Sequence, residues 1–183
     1  MRVYISGGCK SGKSAYAQDL AVGMRNANAP LYYLATMIPA DEEDEARIIR
    51  HKNDRDGYGF ITVEAGSDIL SAVENCDYGG AFLLDSVTAL LANEMFLPSG
   101  RCEKDAYKKI YQDLSQLLNK INDIVIVSDF IYSDAFLYDE MTEAYRQGLA
   151  YIDRQVAKIC DVVLEAYCGT FIAHKSPRNA LKV

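Results

Sequence analysis

The chain has 183 residues, half of them hydrophobic and a quarter charged, and a formal net charge of -7 at pH 7; that length suits one well-buried domain, and that balance is globular rather than disordered. An acidic whole argues against a nucleic-acid partner, because gripping a phosphate backbone needs clustered Lys and Arg, but it leaves room for a small nucleotide at one local site. No apolar stretch reaches membrane-span length and no signal-peptide pattern opens the chain, so a cytoplasmic protein without a membrane span is expected.

Val3-Tyr4-Ile5 is a short β-prone run, and it leads into Gly7-x-x-x-x-Gly12-Lys13-Ser14. Tyr16, Leu20 and Met24 follow at helical spacing. Strand, glycine-rich loop and helix together form a phosphate loop, in which Gly7, Gly8, Cys9, Lys10, Ser11 and Gly12 bring backbone N–H groups close to phosphate oxygens. Lys13 would reach the β- and γ-phosphates and the Ser14 hydroxyl would ligate Mg²⁺. Cys9 is one of five scattered cysteines, an odd number without a Cys-x-x-Cys pair, which fits neither a disulfide framework nor a zinc site. Its expected part is to fill a small-residue position in the loop.

Leu31 to Ala35 predicts the second strand of a βαβ unit, ending at Thr36. From Asp41 the sequence begins acidic and ends basic, the order that suits a helix dipole, until Gly57 and Gly59 stop it. On this helix Arg47, His51 and Arg55 are four apart and share a face if the helix lasts that long; Lys52 is adjacent. Such a face can be an ordinary solvated one or can meet a phosphate.

Phe60 to Glu64 predicts a short strand, Ser67 to Asn75 a weak helix, and Ala81 to Asp85 a buried strand ending in a carboxylate. Asp85 could order the Mg²⁺ shell or cap the next helix. Helices are predicted from Val87 to Phe96 and from about Glu103 to Ile121, then a strand from Ile124 to Val127 with Asp129 beyond it, and a loop from Phe130 to Tyr138. A helix over Glu140 to Ile159, a strand over Val162 to Ala166, a short strand over Thr170 to Ala173 and a weakly ordered tail from about 174 complete the chain. This alternation predicts one α/β domain over residues 1–183, P-loop NTPase-like, with a mostly parallel sheet and helices on both faces. Ligands of such sheets sit at the carboxyl ends of the strands, which gathers the loop, Thr36, Asp85 and Asp129 on one rim.

The chain resembles the bifunctional adenosylcobinamide kinase and adenosylcobinamide-phosphate guanylyltransferase family of cobalamin biosynthesis. The resemblance rests on Gly7 to Ser14, on Tyr33-Leu34-Ala35-Thr36, on Arg47-Ile48-Ile49-Arg50-His51-Lys52-Asn53-Asp54-Arg55, on Thr62-Val63-Glu64 and on Leu83-Leu84-Asp85. It implies two reactions: phosphorylation of adenosylcobinamide by GTP or ATP, and transfer of GMP from GTP to the resulting phosphate through a covalent adduct on His51. It implies Lys13 and His51 as catalytic residues, a nucleotide site that includes Thr36, Arg47, Lys52, Arg55, Glu64 and Asp85, Mg²⁺ on Ser14 and Asp85, a corrinoid substrate and a homotrimer.

The chain departs from the family at Ser128-Asp129-Phe130-Ile131-Tyr132, where Thr-Asn-Glu-Val-Gly is usual, and along Tyr145 to Arg154. Two other readings therefore stand beside the first: a diverged P-loop kinase or guanylyltransferase with another acceptor, and a nucleotide-binding regulatory protein without turnover.

Overall fold

The computed structural model describes residues 1–177, with the side chains of Arg47 and Asp54 outside the description. The elements are β1 (Arg2–Gly7), α1 (Lys13–Met24), β2 (Leu31–Ala35), α2 (Glu42–Asp54), β3 (Ile61–Glu64), α3 (Ile69–Ala72), β4 (Ala81–Asp85), α4 (Val87–Met95), α5 (Ala106–Lys120), β5 (Asp123–Asp129), α6 (Glu140–Ile159), β6 (Val162–Tyr167) and β7 (Thr170–Lys175). The strands form one sheet in the order β3-β2-β4-β5-β1-β6-β7. All neighbours pair in parallel except β6 and β7, which form an antiparallel edge.

Strands buried on both faces read as continuous apolar runs, as Leu31 to Leu34, Ala81 to Leu84 and Ile124 to Val127 do. Alternate side chains then serve two cores. Tyr4, Leu34, Phe82, Leu84 and Ile126 meet residues of α4, α5 and α6 on one face. Val3, Ile5, Leu83, Val125 and Val127 meet Ala17 and Ala21 of α1 on the other.

Most boundaries fall within a few residues of the sequence reading, and the differences have local causes. The helix expected over Ser67 to Asn75 is the single turn of α3, which Asp68 enters in a left-handed conformation at φ 44°. The helix expected from Glu103 begins at Ala106, because Phe96 and Cys102 first close a small antiparallel bridge. The last strand runs on to Lys175, so His174 and Lys175 belong to the sheet; Lys175 Nζ donates to the Lys158 carbonyl at 3.0 Å, and residues 178–183 lie outside the described residues.

Two close approaches fix the centre. Gly7 ends β1 against β6, and a Cβ there would stand 2.6 Å from the Ala166 carbonyl oxygen. On α6, Asp153 is 3% exposed; it accepts from Ser128 Oγ at 2.9 Å and from Tyr132 Oη at 3.0 Å. Burial pushes the Asp153 carboxyl up to about 6, against the opposing effect of these hydroxyls.

Gly7→Ala should lower unfolding free energy by about 1–3 kcal/mol, read by denaturant titration, since backbone rather than a flexible side chain must yield. For Asp153 the folded pKa lies above the unfolded value, so its contribution to stability falls as pH rises from about 4 to about 6. Between pH 4 and 7, wild type should therefore lose about 2–3 kcal/mol relative to Asp153→Asn, measured as the difference between paired unfolding curves.

Candidate active site

At the carboxyl end of β1 the chain leaves the sheet, turns through the glycine-rich loop and enters α1. Lys10 and Gly12 take left-handed conformations at φ 57° and 85°, which coil the backbone around a concave space. Gly12 is the N-cap of α1 and has no side chain to satisfy the first amides, so those N–H groups remain available to an anion.

Lys13 is 5% exposed; its Nζ donates to the Gly8 carbonyl at 2.7 Å and pairs with Asp129 Oδ1 at 2.9 Å. The register explains this: Gly7 pairs with Asp129 across β1 and β5. Sequence reasoning put Asp129 on the rim but gave it no role.

The loop forms one wall of a cavity of about 700 Å³. Cys9, Lys10, Ser11, Gly12, Lys13 and Ser14 line it from the loop and α1, and His51, Lys52 and Arg55 from α2 and its end. Glu64 and Asp85 reach it from the ends of β3 and β4. The structure thus brings together most of the residues singled out from sequence. Arg47 stands one helical turn before His51, and its side chain lies outside the described residues.

Three residues read as nucleotide-binding stand outside the cavity wall, and one cap falls elsewhere than expected. Thr36 does not line the cavity: it is fully buried, and its hydroxyl donates to Ser86 O at 2.8 Å and accepts from Ser86 N at 2.6 Å. A polar backbone at a buried strand-to-helix corner needs such a partner. Gly7 and Gly8 also stand outside the cavity wall; one is fixed by β6 and the other turns its carbonyl to Lys13. Asp85 does not cap α4, because Ser86 does so by accepting from Ala89 N at 3.3 Å.

α2 is placed as its charge order predicts. Asp41 caps it by accepting from Asp44 N at 2.9 Å, Glu42 to Glu45 fill the first turn, and His51 and Lys52 lie in the last. Arg55, the C-cap, folds inward to 7% exposure, with its guanidinium carbon 3.4 Å from the centre of the Tyr33 ring. A desolvated cation–π pair of this kind is worth about 2 kcal/mol. The Tyr33 hydroxyl donates to Asp85 Oδ2 at 3.2 Å, and its phenol is held far above the ordinary range by burial first and the Asp85 charge second. Nothing in the spacing of the sequence signals this chain of contacts from α2 to β4.

Around this cavity Ser11 Oγ, His51 Nδ1 and Arg55 Nη1 are buried and have no hydrogen-bond partner among the described residues. Buried polar atoms are almost always paired, so these three are exceptions in the cavity wall, and a shift that uncovered them would offer them to a polar ligand. Their chemistry, a hydroxyl, an imidazole and a guanidinium beside a loop of amides, suits phosphate oxygens.

Residues 3–173 match the family model described as cobinamide kinase / cobinamide phosphate guanyltransferase. Among curated proteins, the bifunctional adenosylcobalamin biosynthesis protein CobU of Escherichia coli (strain K12) is 29% identical over 120 residues, 65% of this chain and 62% of that protein's length. Among solved structures, an ATPase domain superposes with a TM-score of 0.57 at 12% identity, covering 98% of this chain and 78% of that one. A KaiC-like protein of Pyrococcus horikoshii OT3 gives 0.53 at 15% identity, covering 97% and 79%. These two likenesses concern the fold, which is that of a P-loop NTPase with a mostly parallel sheet and helices on both faces.

In the nucleotide-free protein, Asp129→Ala strands a buried cation, whereas Lys13→Met removes it and leaves a carboxylate that water reaches. Thermal or denaturant unfolding should show Asp129→Ala to be less stable than wild type by about 1–3 kcal/mol, and Lys13→Met to lose less. The reverse order would mean that the pair does not hold the loop.

Proposed function

The chain belongs to the cobinamide kinase / cobinamide phosphate guanyltransferase family, and we propose that it phosphorylates adenosylcobinamide and then transfers GMP from GTP to the phosphate so formed, with His51 carrying the GMP between the two anions. The observation behind this is that Lys10, Lys13, His51, Lys52 and Arg55 together line the cavity that the phosphate loop opens into.

His51 lines the cavity and its Nδ1 is buried, so Nε2 is taken as the attacking nitrogen. A neutral imidazole with its proton on Nδ1 keeps the Nε2 lone pair for attack. The Nε2–P bond forms at the α-phosphorus, and the bond from that phosphorus to its bridging oxygen breaks. Pyrophosphate leaves with the electron pair. A phosphate oxygen of the acceptor then displaces the imidazole, restoring Nε2. Dividing the transfer lets each anion be held alone beside Lys13, Lys52 and Arg55, which spread the charge that develops on phosphorus.

The residues suit Mg²⁺. Ser14 and Asp85 offer hard oxygen donors on one cavity, and among the described residues the Asp85 side chain takes a single hydrogen bond, from Tyr33. The ion, when bound, would neutralise phosphate oxygens. In the kinase step Lys13 would hold the β- and γ-phosphates of GTP or ATP while the acceptor hydroxyl approaches from the cavity mouth.

The corrinoid is far larger than the nucleotide and would dock outside the cavity, against a neighbouring subunit of a trimer. Phe136, Leu137 and Met141 are 75%, 101% and 50% exposed, an apolar surface that suits coverage in an assembly. A cytoplasmic location fits this reading. Among the described residues no helix is long and apolar enough to cross a membrane. A second reading, the same chemistry on another acceptor, is favoured by Ser128 and Asp129: the family pattern differs there, and both side chains are committed internally, to Asp153 and to Lys13.

The test is incubation of the protein with Mg²⁺ and GTP labelled at the α-phosphate. Wild type should acquire an acid-labile, base-stable label and His51→Ala none, and adenosylcobinamide phosphate should remove the label as product. Equal labelling of His51→Ala would end the histidine route. A stable label that this acceptor cannot discharge would favour the second reading.

A further inference from the structure

α2 carries the nucleophile proposed above, yet it is poorly attached to the domain. Most of its described side chains are exposed, Ile49 at 58%, and among the described residues it packs extensively against no other helix or strand. A helix on so loose a footing samples many orientations, whereas in-line attack on phosphorus needs the imidazole held to a fraction of an ångström. Something must fix its C-terminal end.

We propose that Tyr33 is the positioning residue that does so, joining α2 to the acid of the site through its two faces of chemistry. This inference rests on the reading of His51 as nucleophile. Its ring takes the Arg55 guanidinium at 3.4 Å, directly after the last turn of α2, and its hydroxyl donates to Asp85 at 3.2 Å. The sheet makes the reach possible: Tyr33 pairs with Leu83 and Ala35 with Asp85, so Tyr33 and Asp85 are diagonal neighbours on adjacent strands. Phe60, edge-on at 6.0 Å, helps to hold the ring. Tyr33 is 4% exposed and Arg55 7%, so the stack is shielded from competing water. The side that carries His51 and the side that carries Asp85 are thereby kept in one frame by a residue that itself forms part of the cavity wall.

Amide hydrogen exchange across Glu42–Asp54 and the rate of His51 labelling from GTP test this together. In Tyr33→Leu the α2 amides should exchange about tenfold faster, and labelling at saturating GTP should slow about tenfold. Arg55→Met, which leaves the Tyr33 packing in place and serves if Tyr33→Leu does not fold, should raise α2 exchange in the same way, and Arg55→Lys should restore much of the protection. Tyr33→Phe keeps the stack and loses the hydroxyl, so it should retain α2 protection while labelling falls. Unchanged α2 exchange in both Tyr33→Leu and Arg55→Met would overturn the proposal. If wild type takes up no label, the failure belongs to the nucleophile reading, and the exchange measurements still decide whether Tyr33 holds α2.

Discussion

The structure depends on keeping a buried ammonium group in place before any phosphate arrives. Lys13 has left water almost completely, and its charge is balanced by one carboxylate and one backbone carbonyl. Removing an ion from water costs several kcal/mol unless good partners replace the hydration shell. That requirement fixes the neighbours of β1: β5 must be adjacent and in the register that sets Asp129 beside Gly7. The tight contact of Gly7 with β6 on the other side then sets where the loop begins. Central strand order and loop geometry are two expressions of one electrostatic demand.

A protein with a net charge of -7 must also concentrate its cations to attract a triphosphate. Lys10, Lys13, Lys52 and Arg55 come from two separate stretches of chain and line one cavity. Positive charge focused in a concave, partly desolvated space acts more strongly than the same charges spread over the surface. Four of the five acidic residues of α2, Glu42 to Glu45, lie in its first turn, at the opposite end of the helix from His51 and Lys52.

Much of this was legible in the sequence because its signals are local. The phosphate loop is contiguous, the buried strands are short apolar runs, and the charge order of α2 follows the dipole of a single helix. The inward turn of Thr36 was not legible, because a strand-end rule says where a residue falls in the sheet and not which way its side chain turns; Ser86, fifty residues away, decides that. Tyr33 went without a role for the same reason: its partners Arg55 and Asp85 meet it only through folding. Asp129 was seen on the rim, but its meaning came from a register that no periodicity reveals. The weak helix after Gly66 shrank to one turn since few of its residues have a face to bury.

The position of His51 in the last turn of α2 bears on the energetics of the route proposed for it. Carbonyl oxygens gather at that end of a helix and give it partial negative character, opposed to a further anion by about 0.3–1 kcal/mol. A nucleotidyl group carried there sits on an uphill perch, softened but not abolished by the neighbouring cations. On that proposed route the group-transfer potential would be raised accordingly, which would favour onward delivery over storage.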